Sequence, residues 1–258
     1  MGRGKSRLSW AINLDPPFHP PGNGIPISPY LMKVIVVIPA FNEGSVIGEV
    51  VDRVRSVNLP GMTKDVIVVD DGSSDGTGAK AKSRGVRVIR HLLNRGLGAA
   101  LGTGLEAALR AGADIVVTFD ADEQHSVDDI PKVIRPIRER RADVVIGSRL
   151  LEASGMPWTR KVANHLANWV TSVLSGLKTT DSQSGLRAFS RDAAVRIRIK
   201  SNRYEVSSEI ITEIQRNGLR MEEVPIRTIY TPYSMSKGQG FRVGLRTLFK
   251  LLLSRRLR

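Results

Sequence analysis

The chain has 258 residues, 41% of them hydrophobic, and a formal net charge of +14. That size suits one α/β domain with a substantial core, and the absence of cysteine excludes disulfides and thiolate metal sites. No stretch approaches the roughly 18–20 uninterrupted apolar residues that span a bilayer, while the positive charge calls for an anionic partner: nucleic acid, a phospholipid surface or a phosphorylated substrate.

The N-terminus is basic (Arg3, Lys5, Arg7) without an apolar stretch behind it, so it does not read as a secretory signal. Residues 1–31 carry Pro16, Pro17, Pro20, Pro21, Pro26 and Pro29 among glycines and polar residues. This composition predicts a disordered extension. From Lys33 onward, short β-branched runs alternate with helical periodicity. Val34–Ile38, Val66–Val69, Val86–Ile89, Ile115–Phe119 and Val144–Ile146 read as buried parallel strands. Between the first two, Val46, Ile47, Val50, Val51, Val54 and Val57 recur at helical spacing, as do Leu97, Leu101, Leu105, Ala108 and Leu109 before the fourth strand. Repeated βαβ units predict an α/β fold: an open, mostly parallel sheet with helices on both faces. After Arg149 the alternation breaks. Helices are expected over Val162–Leu174 and Ser207–Gln215, a strand over Val224–Tyr230, and a last helix from about Phe241.

In such sheets ligands bind beyond the carboxyl ends of the strands. Four predicted strands end in chemically capable residues: Pro39-Ala40-Phe41-Asn42-Glu43, Asp70-Asp71-Gly72-Ser73, Asp120-Ala121-Asp122 and Gly147-Ser148-Arg149. Asp120, Asp122 and Gln124 alternate just past a strand, so their oxygens can converge on one hard divalent cation, Mg²⁺ or Mn²⁺. A lone Asp-X-Asp is usually no more than a turn leading to a helix N-cap, here Ser126. Asp70 and Asp71 can accept hydrogen bonds from a base or a ribose.

Asn94-Arg95-Gly96-Leu97-Gly98 has glycine spacing close to a dinucleotide fingerprint, with Asp120 about twenty residues on. That fingerprint belongs at the first βα turn and this motif sits at the third. Gly98 is therefore expected to allow close nucleotide approach and helix packing. Arg149, Arg160, Lys161, Arg187 and Lys237 stand in or beside the motif loops, where cations can clamp a diphosphate. Of the four histidines, only His125 is expected to adjoin the site.

Taken in order, Val37–Glu43, Val69–Thr77, Asp120–His125, Gly147-Ser148-Arg149 and Ser184-Gly185-Leu186-Arg187-Ala188-Phe189 closely resemble family-2 glycosyltransferases of the GT-A fold. The resemblance is strongest to the dolichyl-phosphate mannose synthase group and related archaeal dolichyl-phosphate hexosyltransferases. It implies a catalytic domain over 32–236 and nucleotide-binding roles for Pro39, Phe41, Asn42, Glu43, Asp70, Asp71, Asp120, Ala121 and Lys237. It also implies Asp120, Asp122 and Gln124 as ligands for Mg²⁺ or Mn²⁺, and Asp122 and Arg149 in catalysis; Glu209, in Ser207-Ser208-Glu209, is a further catalytic candidate as an orienting or basic residue. Arg149, Arg160 and Asn164 would receive an acceptor phosphate, with Asn164 standing where a serine is more usual. Gln183 and Gly238 also depart from the family pattern. The implied reaction is inverting transfer of a hexose or N-acetylhexosamine from a UDP- or GDP-linked sugar to a polyprenyl (dolichyl-type) phosphate.

Residues 237–258 contain no acidic side chain and place Phe241, Leu245, Leu248, Phe249 and Leu252 on one helical face beside Arg242, Arg246 and Lys250. Such a basic amphipathic helix fits an anionic membrane surface, or equally the outside of the domain. With the implied lipid acceptor, a peripheral position on the cytoplasmic face of a membrane is expected. Three rivals stay open: transfer to a soluble or glycan acceptor, nucleic-acid binding, and an NAD-dependent dehydrogenase. Nucleic acid is not expected, since acidic strand ends repel phosphate without an intervening metal.

Overall fold

A computed structural model describes residues 31–151, 166, 168–173 and 175–229. The expectations placed on residues 1–30, on Arg160, Asn164 and Lys237, and on the C-terminal helix lie outside the described residues. Among the described residues seven strands form one sheet: β1 (Met32–Ala40), β2 (Met62–Asp70), β3 (Arg87–Arg90), β4 (Ile115–Thr118), β5 (Val144–Ser148), β6 (Arg187–Ser190) and β7 (Met221–Pro225). Their spatial order is β3-β2-β1-β4-β6-β5-β7. β6 runs antiparallel to both of its neighbours, and every other pairing is parallel.

Val34 to Ile38 are all fully buried, as a strand covered on both faces requires. Alternation sends Val34, Val36 and Ile38 to one face, against helices α1 (Ile47–Ser56) and α4 (Ile130–Arg138). Ile35 and Val37 point to the other face, against α3 (Leu97–Arg110), α5 (Arg191–Arg196) and α6 (Val206–Arg216). Each such side chain contributes about 1.5–3 kcal/mol of burial. A short helix, α2 (Thr77–Ser83), follows β2. The α/β class with a mostly parallel sheet and helices on both faces is therefore observed.

Three details differ from the sequence reading. β6 was not anticipated as a strand, because its first residue is an arginine and the run is four residues long. β7 begins at Met221 rather than Val224 and ends at Pro225, which has no N–H to continue the ladder. Ser126 does cap a helical start, accepting a bond from Asp128 N (3.3 Å), but the first turn is 3₁₀ (Val127–Asp129) before α4 begins. Of the helix expected over Val162–Leu174, the described residues between 166 and 175 are helical.

Candidate active site

The carboxyl ends of β1 and β2 are laced together through loop side chains. Asn42 adopts a left-handed backbone (φ 54°) that Asn tolerates better than most residues. Its N–H donates to Ser73 Oγ (3.0 Å) and its Oδ1 accepts from Ser74 N (3.0 Å). Glu43 N donates to Thr77 Oγ1 and Gly44 N to Asp75 Oδ2. Pro39 and Ala40 are buried at the end of β1, whereas Phe41 is exposed beyond it. Asp70 is buried, accepts from Ser73 N (2.9 Å) and lies 3.5 Å from Arg90 Nε.

Asp71 departs from expectation in its company. Its carboxylate accepts from Arg95 N (3.0 Å) and Gly96 N (2.7 Å) and lies 2.6 Å from His91 Nδ1. The expectation that only His125 among the histidines adjoins the site is thus corrected: His91 is buried against this rim as well. Gly98 fulfils the packing half of its expected role. Its N–H donates to Asn202 O (2.9 Å), and any Cβ there would overlap Ser201 O. That contact fastens α3 to the 198–205 loop.

At the end of β4, Asp120, Ala121, Asp122 and Gln124 share one tight loop. Glu123 takes a left-handed backbone (φ 63°) and pairs with Arg53 (2.6 Å). Asp122 Oδ1 accepts from Gln124 N (3.1 Å). His125 Nε2 lies 3.7 Å from Asp120 Oδ2, and its ring meets Phe119 edge-on. The loop is also strapped to the chain beyond β7: Ile229 N donates to Gln124 O, and His125 bridges Thr228. Gly185 sits under Asp120 so closely that a Cβ would overlap the carboxylate.

The two carboxylates are electrostatically unlike. Burial and the neighbouring Asp120 push Asp122 up to about 6. Burial would also raise Asp120, but His125, Arg187 and Arg149 outweigh it and hold that carboxyl below the ordinary range. A like-charge pair with one member driven toward protonation is the arrangement a divalent cation relieves. Among the described residues no three His, Cys, Asp or Glu side chains gather as a metal group. Two carboxylates plus Gln124 fit an ion that completes its coordination with substrate phosphate. Ser184 Oγ, next to Gly185, and Arg187 Nε and His125 Nδ1, on two residues whose charge acts on Asp120, are buried without a hydrogen-bond partner, as atoms that meet water or ligand are.

Arg149, just past β5, is held in a bidentate pair with Asp181: Nε to Oδ2 at 2.7 Å and Nη2 to Oδ1 at 2.8 Å, with Arg149 N adding a bond to Oδ2. Burial opposes its charge, but Asp181, Asp120 and Asp122 hold it protonated. Asp181 itself is fixed from below by the 179–181 backbone, whose amides at Thr180 and Asp181 donate to Glu223 on β7. Asn168 ties the helical residues above it to Thr180 O and Ser182. Arg187, 2% exposed, donates to Ser182 O and Ser207 Oγ, and burial lowers it to about 10 against the pull of Asp120 and Asp181. Asp181, Asn168 and Glu223 escaped sequence reasoning. Only Glu223 carried a signal, as the last acidic residue of a basic chain.

Glu209 stands in the first turn of α6, and both its oxygens are occupied by backbone donors, Lys200 N (3.0 Å) and Ser201 N (2.8 Å). It therefore anchors the loop on which Gly98 packs. The structure thus brings Asp120, Asp122, Gln124 and Arg149 together, with Asn42, Glu43, Asp70 and Asp71 along the adjoining rim.

Comparison with known proteins places this rim in a family. The model for Glycosyl transferase family 2 matches residues 35–198. An uncharacterised protein of Methanocaldococcus jannaschii is 47% identical over 228 residues, covering 86% of this chain and 92% of its own length. The UDP-N-acetylglucosamine–dolichyl-phosphate N-acetylglucosaminyltransferase of Methanococcus voltae is 40% identical over 242 residues, covering 85% of this chain and 95% of its own. Among solved structures, glucosyl-3-phosphoglycerate synthase from Mycobacterium tuberculosis, in complex with Mn²⁺, UDP and glucosyl-3-phosphoglycerate, matches with a TM-score of 0.66 at 24% identity over 87% of this chain and 80% of that one. That last likeness is one of fold. With the family model spanning more than half the chain and the strand-end carboxylates and arginine in place, the chain belongs to glycosyltransferase family 2, enzymes of GT-A fold that use nucleotide-sugar donors.

Proposed function

We propose that this glycosyltransferase moves a hexose or N-acetylhexosamine from a UDP- or GDP-sugar to a polyprenyl (dolichyl-type) phosphate, with inversion at the anomeric carbon. The observation that carries the reading is the juxtaposition of the Asp120–Asp122 pair with the Asp181-held Arg149. One group fits a metal-bound diphosphate and the other an incoming phosphate. The similarity to a dolichyl-phosphate N-acetylglucosaminyltransferase over nearly all of that protein's length supports the lipid phosphate.

Asp120, Asp122 and Gln124 would hold Mg²⁺ or Mn²⁺, which when bound supplies positive charge to the departing diphosphate. Asn42, Glu43, Asp70 and Asp71, with Pro39, Phe41 and Ala121 beside them, form the wall for the nucleoside. Arg149 is preorganised: its bidentate pair fixes the guanidinium plane, and the edge not facing Asp181 can donate to an acceptor phosphate. A phosphate monoester is already anionic near neutral pH, so the nucleophile needs no strong base. Glu209 enters this reading as the residue that orients the 198–205 loop.

Arg160, Asn164 and Lys237 are proposed to complete the phosphate sites, and the basic residues after 237 to meet an anionic membrane surface on its cytoplasmic face. No helix among the described residues is long and apolar enough to cross a membrane. A donor screen with polyprenyl phosphate and Mg²⁺ or Mn²⁺, read as lipid-linked sugar, tests the proposal. Sugar transfer only to water-soluble acceptors would overturn it, as would failure to sediment with anionic vesicles carrying the lipid.

A further inference from the structure

We propose that His91 is a positioning residue for the donor: it locks the Asp71 carboxylate so that a single acceptor position on Oδ2 faces the nucleoside. The inference rests on the reading above, in which Asp71 lines the nucleoside wall.

His91 directly follows β3, and its backbone N–H donates to Asp70 O (2.9 Å). Its side chain is 8% exposed and bonded at both ring nitrogens, Nδ1 to Asp71 Oδ1 at 2.6 Å and Nε2 to Thr103 Oγ1 at 3.0 Å. An ionised carboxylate only accepts, so Nδ1 carries the proton. In the neutral ring Nε2 then accepts from the Thr103 hydroxyl. Thr103 lies on α3, so the ring that Asp71 fixes in this tautomer is held from the helix as well.

An ionised carboxylate has about four lone-pair positions. Three are filled in Asp71: His91 Nδ1 and Arg95 N on Oδ1, and Gly96 N on Oδ2. All three donors come from the 91–96 loop, and they prevent rotation of the carboxylate. The remaining position, on Oδ2, accepts one O–H or N–H. Because Asp71 is ordered beforehand, a ligand that donates to it avoids the ordering cost of capture. Without His91, Oδ1 loses a charge-assisted partner inside a buried site, and the carboxylate is free to swing.

The test is calorimetric binding of UDP and GDP with Mn²⁺ to the full chain, repeated with the 2′-deoxyribose and base-N-methylated analogue of whichever nucleotide binds. In the wild type one analogue should lose about tenfold, which separates ribose from base as the donor of the hydrogen bond. In His91→Leu the parent nucleotide should weaken about tenfold and the analogue penalty should vanish. His91→Asn, whose amide can still donate to Asp71, should restore most of the affinity, and Thr103→Val should weaken binding about threefold. An unchanged analogue penalty in His91→Leu would overturn the inference while leaving the donor reading intact. A wild type that binds neither nucleotide would sink both. Side-chain ¹⁵N resonances showing His91 protonated at Nε2 instead of Nδ1 would also overturn it.

Discussion

The half of the sheet made of β3, β2, β1 and β4 and the half made of β6, β5 and β7 reach the same rim by different means. In the first half the strands are all parallel, and the loops beyond them are joined mainly through backbone N–H groups, such as Asn42 N to Ser73 Oγ and Gly96 N to Asp71 Oδ2. In the second half a reversed strand interrupts the sheet, and the rim is organised by buried charge: Arg149 on Asp181, with Arg187 beneath. The contrast indicates that the proposed nucleoside wall is shaped largely by backbone donors, while the proposed phosphate side is shaped by buried ion pairs. Mutations should separate the two.

Asp122 lies at the seam of the halves and should give the largest effect. Asp122→Ala is expected to cut sugar transfer by roughly a thousandfold, the scale of losing a main source of transition-state charge stabilisation. Circular dichroism should remain that of the wild type; transfer at wild-type rate would refute the metal assignment.

Breaking the charged half comes next. Asp181→Ala strands a buried guanidinium, and denaturant unfolding should show a loss of about 3–5 kcal/mol. Despite burial, Arg149 keeps the Asp181 carboxyl below its ordinary range. The pair's contribution should therefore be complete above about pH 4, the unfolded value, and drain away as acid approaches the lower folded value. The stability gap between wild type and Asp181→Asn should accordingly close on acidification below that point. A gap that widens there would contradict the pairing.

Breaking the backbone-shaped half should cost less. Gly98→Ala forces a methyl into Ser201 O, and overpacking of this kind costs about 1–3 kcal/mol, measurable as a lower denaturation midpoint with an unchanged slope. The smallest effect is expected at the outer surface, where Arg84 pairs with Asp52 at 2.6 Å between half-exposed side chains. Arg84→Ala should change stability by no more than about 1 kcal/mol.

The same contrast explains what could be read from the amino acids alone. The parallel half was legible because Val34–Ile38 and Val66–Val69 are unbroken apolar runs and Ile115–Phe119 is interrupted only by Thr118, and such runs have few other uses. The place of Asp120 and Asp122 was legible because they follow within four residues of the end of β4. β6 was not, since burying Arg187 at its start violates the rule that charged residues stay outside, and Asp120 and Asp181, with acceptors on Ser182 and Ser207, make that burial tolerable. Asp181's hold on Arg149 spans thirty-two residues of sequence, and His91's hold on Asp71 spans twenty. Periodicity carries no information about such long-range pairs.

The reversal of β6 also has a consequence for how this enzyme can be altered. A parallel strand offers the rim only the loop that leaves it, whereas β6 offers the loop that enters it, from Asp181 to Leu186. The two ends of the chain between β5 and β6 therefore meet at the rim, joined by the Arg149–Asp181 clasp. Those two joined ends define a segment that can be exchanged as a unit, a cassette. Exchanging that cassette between relatives, clasp included, is expected to change which acceptor is used while leaving the donor nucleotide unchanged.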